Sequence, residues 1–349
     1  PHKDTQELRI HAFRWFNRFL RQDDSLIESA AKPLFDPIEL RVFAELPKDE
    51  RVTTIHDTFV PETTEPLPQT VAEADALKDR LLPTIRQKCF GGWPTDSDPL
   101  DMVTVAERNL GDSTLRLIDF TSESPYRLRL YVVTSSDSKQ DVVQLNLLDQ
   151  PGWEELMSAI AVELPAHAFH HPPNQRAWNK ILADTKNQPL AFFAPRGVGE
   201  TEWSRDERTR THIRRRFMQL GQTAAGMQTF DVLRALNALE QRRDFPNHFE
   251  VRGKGDAATW ALFASLLADN VRSIQLRDLS PQNREAPDLL NVSRLLQPPH
   301  ALLMFASKHK QATLYNRSAE RGAWGELLAN NSLAQESITL VESEDAKTK

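Results

Sequence analysis

Residues 248–268 read HFEVRGKGDAATWALFASLLA, and this stretch decides the fold. HFEV (248–251) is a short apolar run typical of a buried strand, and AATWALFASLLA (257–268) is apolar and long enough for a buried helix. The five residues between them, RGKGD (252–256), include two glycines, which permit a tight turn. The stretch therefore predicts a strand, a sharp turn and a helix in immediate succession.

Strand-like and helix-like segments alternate on both sides of this stretch. STLRLIDF (113–120) and YRLRLYVV (126–133) alternate apolar and polar residues and predict an antiparallel hairpin. Further strands are predicted at VVQLNLLD (142–149), LAFFA (190–194), VRSIQL (271–276), ALLMF (301–305), ATLYN (312–316) and SITLVE (337–342). Helices are predicted at 153–164, 211–241, 289–296 and 323–330. This alternation predicts an α/β fold with a doubly wound, mostly parallel sheet, opened by an antiparallel hairpin.

The turn at 253–257 has the architecture of a nucleophile elbow, G-x-S-x-G, in which a sharp turn between strand and helix presents a serine hydroxyl. Here Gly253 occupies the first position, Gly255 stands where the serine would be, and Asp256 follows it. The turn geometry is predicted to survive without its nucleophile. A phosphate-binding loop and a dinucleotide fingerprint both fail on glycine spacing, and no cofactor is predicted.

The order of the other catalytic residues gives a second test of the same motif. In the α/β-hydrolase plan an acid follows the serine, and a histidine follows the last strand. Asp278 comes directly after VRSIQL and is a candidate acid, with a solvated loop aspartate as the alternative. After SITLVE the chain reads SEDAKTK, and the last histidines, His300 and His309, precede the final helix. The domain is therefore predicted to lack a complete triad.

A glycine-containing loop, PRGVGE (195–200), follows the predicted strand LAFFA. Glycines let backbone N–H groups approach an oxyanion closely. We therefore interpret Arg196, Gly197, Val198 and Gly199 as a candidate oxyanion loop. A glycine turn without a ligand is the alternative.

Composition restricts the class of protein. The chain has 349 residues, which suggests about two domains. Its 40% hydrophobic and 26% charged residues are typical of a soluble globular protein. A net charge of −6 argues against a nucleic-acid partner, and no apolar run is long enough to span a membrane. The single cysteine, Cys89, excludes an internal disulfide and leaves the compartment undetermined, so export remains open.

Residues 1–105 differ from the rest of the chain in their sequence pattern. Residues 4–20 predict an amphipathic helix with Trp15, Phe16 and Phe19 on one face, and an apolar helix of this kind needs a packing partner. We therefore predict that residues 1–24 are the closing helix of an upstream domain. Residues 25–105 hold many prolines, which block long helices and central strands. They are predicted to form a connecting region with short strands, such as LRVFAEL (40–46) and TTIHDTFV (53–60), and one helix near 70–88, followed by the main domain at 106–349.

Three other clusters offer possible binding chemistry. His167, His170 and His171 resemble metal ligands, but no cysteine or acidic residue accompanies them in sequence, so no metal site is predicted. RDERTRTHIRRR (205–216) contains six arginines and suits an anionic polysaccharide or phosphate, with a solvated helix face as the alternative. Among the tryptophans, Trp203 beside the glycine loop is the better candidate for stacking on a sugar, whereas Trp260 is predicted to be core.

Several of these segments together carry a resemblance to a known family. They are PHKDTQELRIHAFRWFNRFL (1–20), FGGWP (90–94), PRGVGE (195–200), RRRFMQLGQTAAGMQTFDVLRALNAL (214–239) and RGKGDAATWALFASLL (252–267). The chain resembles the C-terminal half of bimodular acetylxylan esterase-like α/β hydrolases, in which a first hydrolase domain bears the active triad. The resemblance implies that His2 is the catalytic histidine of that first domain, with its serine and acid upstream of residue 1.

Two functions follow from these observations. The first is a part of a carboxylic-ester hydrolase acting on acylated carbohydrate, with His2 working with a serine and an acid from an upstream domain or a second polypeptide. The alternative is a non-catalytic α/β-hydrolase-like module that binds carbohydrate or protein, because Gly255 provides no attacking oxygen.

Overall fold

The computed structural model describes residues 5–30, 35–94, 98–138, 141–242, 244–307 and 310–343. The chain divides into two compact units, Pro1–Phe59 and Val60–Lys349. In the first unit, helix α1 (Gln6–Phe16) is capped by Thr5 and continues as a wider π-helical turn, Asn17–Arg21. A short helix, α2 (His56–Phe59), ends this unit. The helix predicted over 4–20 is therefore present, and none of its described side chains is buried.

The described part of residues 25–102 contains no strand. The strands expected at 40–46 and 53–60 are wrong, since the first run forms turns and bends and the second leads into α2. The helix expected near 70–88 is α3 (Val71–Lys88), which lies in the second unit and buries Ala74, Leu77, Leu81 and Ile85 in its core. The domain boundaries at 24 and 105 stay a prediction.

The second unit is built on one nine-stranded sheet. Its strands are β1 (Val103–Leu110), β2 (Ser113–Glu123), β3 (Tyr126–Ser135), β4 (Val143–Leu147), β5 (Leu190–Phe193), β6 (Phe249–Lys254), β7 (Val271–Arg277), β8 (Gln311–Asn316) and β9 (Ile338–Glu342). They lie in the order β1-β2-β3-β5-β4-β6-β7-β8-β9. The first three pairs in that order, β1-β2, β2-β3 and β3-β5, are antiparallel. The remaining pairs, from β5-β4 to β8-β9, are parallel. The predicted hairpin and the doubly wound, mostly parallel sheet are confirmed.

Helices connect the strands and cover the sheet. They are α4 (Gln150–Ile160), α5 (Gln175–Thr185), α6 (Glu207–Gln219), α7 (Ala224–Glu240), α8 (Asp256–Leu267), α9 (Val292–Leu295), α10 (Pro298–Ala306), α11 (Ser318–Leu328) and α12 (Ser332–Ser337). The core lies between these helices and the sheet, and α7, α8 and α10 are its most buried helices. None of the helices in the described ranges has the length and apolarity needed to cross a bilayer.

Two predicted elements of the second unit also differ in the structure. ALLMF (301–305) is not a strand but part of α10, which begins with two prolines and is capped by reciprocal hydrogen bonds between Gln297 and His300. A short apolar run fits a buried helix as well as a buried strand, so the periodicity did not discriminate here. The helical stretch expected over 211–241 is two helices, because Gly221 adopts a φ of 72° and Thr223 caps α7.

Candidate functional site

The turn between β6 and α8 has the sharp geometry that the sequence predicted. Gly255 has φ 56° and ψ −123°, a region that L-residues rarely occupy. Its N–H donates to the Arg277 carbonyl at 2.9 Å, which ties the turn to the neighbouring strand β7. The chain enters the helix at the next residue, Asp256. The backbone is therefore that of an elbow between strand and helix.

The two glycines of this turn are present for different reasons. A Cβ on Gly253 would lie 2.4 Å from the Ala257 carbonyl oxygen, so strand and helix backbones approach too closely there for any side chain. A Cβ on Gly255 would have no heavy atom within 4 Å. The turn therefore has space for a side chain at Gly255, and the assignment of this position as a degenerate nucleophile stays a prediction.

A cavity of ≈ 660 Å³ lies beside the elbow, and we call it the elbow cavity. Segments that follow four neighbouring parallel strands line it: residues 149–151 after β4, residues 197–198 and 202–204 after β5, Asp256 after β6, and residues 284–288 after β7. Helix α6 contributes Arg210, Ile213, Arg214 and Met218. This is the crevice at the carboxyl ends of the strands, where ligands bind in open α/β sheets.

The elbow cavity carries charges of both signs. Burial raises the pKa of Asp256, an effect that nearby Asp149 reinforces and that Arg210 and Arg214 oppose. Asp149 caps α4 by accepting the Gly152 N–H at 2.9 Å. Arg214 donates to Glu207 at 2.6 Å on the rim. Carboxylates facing guanidinium groups across a cavity suit a ligand with several hydroxyl or carboxylate oxygens.

Trp203 lies in the same cavity and is 38% exposed. Its ring lies against Gly197, where a Cβ would come within 2.7 Å of it, and packs on Phe217 of α6 at 5.5 Å between ring centroids. Trp260 reaches the same wall from α8 but is 3% exposed, as expected of a core residue. Trp203 is thus the aromatic surface that a ligand in the elbow cavity can contact.

The loop predicted as an oxyanion loop donates its N–H groups within the protein. The Arg196 N–H donates to Asp231 at 2.9 Å, and the Gly197 N–H donates to the Thr201 hydroxyl at 3.0 Å. The Val198 N–H donates to the Pro195 carbonyl at 3.1 Å, and the Gly199 N–H donates to the Gln150 side chain at 2.8 Å. An oxyanion could bind there only by displacing one of these acceptors, and the assignment stays a prediction.

The side chain of Arg196 holds this loop to the core. It is 2% exposed, and its Nε and Nη2 atoms each donate to Asp231 at 2.8 Å. Nη1 donates to Glu123 at 2.8 Å, and the guanidinium lies 4.5 Å from the ring centroid of Tyr126. Burial disfavours the charged guanidinium, but these carboxylates outweigh it and raise the pKa of Arg196. Arg196 therefore serves as an anchor between β2, the loop and α7.

Neither of the described residues considered for a triad, Asp278 and His300, lines the elbow cavity. Asp278 follows β7 with a φ of 55°, and its buried Oδ1 has no hydrogen-bond partner among the residues that the structure describes. His300 caps α10, and its Nε2 pairs with the Glu65 carbonyl at 2.8 Å. His2 and His309 lie outside the described residues. No histidine among the residues that the structure describes lines the elbow cavity.

The remaining clusters have local roles. His171 Nδ1 pairs with the Ala168 carbonyl at 2.8 Å, and its ring packs edge-on against Trp153. Within the described ranges, no group of three or more potential ligands could hold a metal ion. Of the arginines at 205–216, Arg210 and Arg214 face the elbow cavity. Sequence reasoning missed Asp149, although an aspartate before Gln-Pro-Gly at the end of a strand signals a helix cap.

No model of a known protein family matches the sequence, and no curated protein matches it. Solved structures do. A protein described as an acetyl xylan esterase from Bacteroides fragilis is 14% identical with a TM-score of 0.61, and the match covers 88% of this chain and 85% of that one. A glucuronoyl esterase from Solibacter usitatus is 14% identical with a TM-score of 0.54, covering 82% of this chain and 95% of its own.

A glucuronoyl esterase from Teredinibacter turnerae is 11% identical with a TM-score of 0.51, and the match covers 81% of this chain and 85% of that one. At such identities the similarity establishes the fold alone. The second unit has the α/β-hydrolase fold, as the sequence predicted.

Proposed function

We propose that the α/β-hydrolase unit is a non-catalytic, carbohydrate-binding module of a carboxylic-ester hydrolase, with its ligand in the elbow cavity. The observation that carries this proposal is Gly255. Its backbone has the elbow geometry, and a side chain would have room, yet no oxygen is available to attack a carbonyl. Without that oxygen no acyl-enzyme can form.

The solved structures that share the fold support the carbohydrate part of the proposal. Their names describe an acetyl xylan esterase and glucuronoyl esterases. In this chain the loops at the carboxyl ends of the parallel strands line a cavity large enough for a saccharide. Trp203 offers an aromatic surface for a sugar ring, and Asp256, Arg210 and Arg214 offer hydrogen-bonding groups around it.

Two experiments test the proposal on the purified chain. A serine-directed fluorophosphonate probe is expected not to label it, and p-nitrophenyl acetate is expected not to be hydrolysed above the rate of buffer. Covalent labelling or enzymatic turnover would contradict a non-catalytic unit.

Binding is tested separately by calorimetry with acetylated xylo-oligosaccharides. Trp203→Ala is expected to weaken binding about fivefold, because stacking of a sugar ring on an aromatic ring contributes on the order of 1 kcal/mol. Trp15→Ala, which removes an exposed tryptophan of α1, serves as the matched control and is expected to bind like the wild type. Equal binding by both variants would exclude the elbow cavity as the binding site.

A second candidate concerns the first unit. We propose that α1 closes an upstream hydrolase domain that carries the active triad, with His2 as its histidine. The support is the aromatic face of the helix: Trp15, Phe16 and Phe19 are each more than half exposed, and Trp15 contacts both phenylalanines. A polypeptide that includes the upstream segment is expected to hydrolyse p-nitrophenyl acetate and to lose this activity in His2→Ala. An unchanged rate would remove the hypothesis.

A further inference from the structure

Helix α6 presents two faces with different surroundings, and none of its residues is buried. The inner face lines the elbow cavity with Arg210, Ile213, Arg214 and Met218. Residues at positions i, i+4, i+7, i+8 and i+11 of a helix share a face, so a second set lies on the outer side, and none of its members lines the elbow cavity. This set, which we call the basic stripe, consists of exposed residues only: Arg208, His212, Arg215, Arg216 and Gln219.

The arginines of the two faces differ in their partners. On the inner face, Glu207 lies 2.6 Å from Nη2 of Arg214 and 3.9 Å from Nη1 of Arg210. The three arginines of the basic stripe form no ion pair with a carboxylate of any residue that the structure describes. The protein therefore neutralises the charges beside the cavity and leaves those of the stripe to the solvent.

The aspartate that precedes α6 does not relieve this charge. Asp206 caps the helix by accepting the Thr209 N–H at 2.7 Å, and the charge that it attracts on the stripe is that of His212. Three guanidinium groups on one face of a helix repel one another. An anionic ligand along the stripe would remove this repulsion.

The residue type and the spacing indicate the kind of anion. A guanidinium group donates two parallel hydrogen bonds to a carboxylate, which a lysine cannot do. Arg208 and Arg215 are seven residues apart, about 10 Å along the helix axis, so they suit separate carboxylates of one extended ligand. The net charge of −6 opposes polyanions that cover a large surface, such as nucleic acid or an anionic membrane. A narrow chain that contacts only the stripe avoids that repulsion.

We infer that the basic stripe binds an acidic polysaccharide, with carboxylates of successive sugars paired to Arg208, Arg215 and Arg216. The choice of a polysaccharide rests on the carbohydrate binding proposed for this unit, whereas the preference for carboxylates comes from the stripe. Because the stripe and the elbow cavity lie on opposite faces of α6, each site can be filled without the other.

Hexagalacturonate, titrated into the purified chain by calorimetry, tests this inference. The triple variant Arg208→Gln, Arg215→Gln, Arg216→Gln is expected to bind about tenfold more weakly, since each exposed ion pair contributes a factor of about two. Added NaCl is expected to weaken binding to the wild type, because salt screens exposed charges. The unfolding temperature of the variant is expected to equal that of the wild type, since all three side chains are exposed.

The matched control removes three positive charges at another place on the surface. Arg176→Gln, Lys180→Gln, Lys186→Gln changes exposed residues of α5 and its C-cap and is expected to bind hexagalacturonate like the wild type. An equal loss of affinity in this control would reduce the effect to net charge and overturn the inference.

Four further outcomes would overturn it. They are the absence of saturable binding to the wild type, equal affinity of the stripe variant, a lowered unfolding temperature of that variant, and tighter binding of a DNA oligonucleotide or a sulfated oligosaccharide with the same dependence on the stripe. Trp203→Ala is expected to retain hexagalacturonate binding, and the stripe variant is expected to retain binding of acetylated xylo-oligosaccharides. Failure of this inference is therefore distinguishable from failure of the function proposed for the elbow cavity.

Discussion

Replacing Asp231 by Asn tests the anchor that holds the glycine loop beside the elbow cavity. The Asp231 carboxylate is 0% exposed and accepts hydrogen bonds from the Arg196 N–H, Nε and Nη2 atoms and from the Ser122 hydroxyl, at 2.5 to 2.9 Å. An Asn has one acceptor oxygen and no charge, so the buried guanidinium of Arg196 would keep only Glu123 as a charged partner.

Breaking a buried ion pair by removing one partner costs about 3–5 kcal/mol. Because Glu123 remains, we expect a loss near the lower end, about 3 kcal/mol in the free energy of unfolding. For a unit of this size each kcal/mol lowers the unfolding temperature by about 2–4 °C, so a decrease of roughly 6–12 °C is expected. Guanidinium unfolding followed by circular dichroism measures the free energy, and the fluorescence of Trp203 reports displacement of the loop that it contacts.

Asp244→Asn is the matched control. Asp244 pairs with Arg242 at 2.9 Å on the surface and is 46% exposed, so its loss is expected to cost less than about 1 kcal/mol. If Asp231→Asn changed stability by no more than this control, the anchor would have no energetic role, and the reasoning about the loop would be refuted.

Three further predictions concern the elbow and the core. Gly253→Ala is expected to destabilise the protein by about 3 kcal/mol or more, because its Cβ would overlap the Ala257 carbonyl. Gly255→Ala is expected to cost less, about 1–3 kcal/mol of backbone strain, because its Cβ has space but its φ and ψ are rare for an L-residue. Equal losses in a denaturant titration would contradict the geometry. Because burial raises the pKa of Asp256 above the ordinary aspartate value of 3.8, deprotonation is harder in the folded state, and stability falls as the pH rises past that value. Asp256→Asn should therefore unfold at a higher temperature than the wild type at pH 7, with the difference vanishing toward pH 3; a difference that persists at acidic pH would refute this cause. Burial raises the pKa of the Cys89 thiol to about 12, so Ellman's reagent should modify it only after unfolding in guanidinium chloride, and rapid reaction of the native protein would contradict its burial.

The elements with the clearest local patterns were predictable. The hairpin of β2 and β3 alternates apolar and polar residues over much of its length, and the elbow joins a short apolar run to a long one through two glycines. ALLMF (301–305) was mistaken for a strand because a short run that is apolar throughout has no period, and its assignment to α10 depends on what surrounds it. Strand β1 was missed because most of its residues are exposed at the edge of the sheet and show little apolar pattern.

The amino-acid sequence by itself determined the succession of strands and helices, the tight turn at 253–257 and the absence of a hydroxyl at Gly255, because periodicity, glycine content and residue identity are local properties. Tertiary structure decided which loops meet. The order of the strands brings residues 149–151, 197–198, 202–204 and 256 to one cavity, and it gives the N–H groups of the glycine loop their partners in Gln150, Thr201 and Asp231. These contacts join residues far apart in the chain, and they depend on the packing of the whole sheet rather than on any short stretch of sequence.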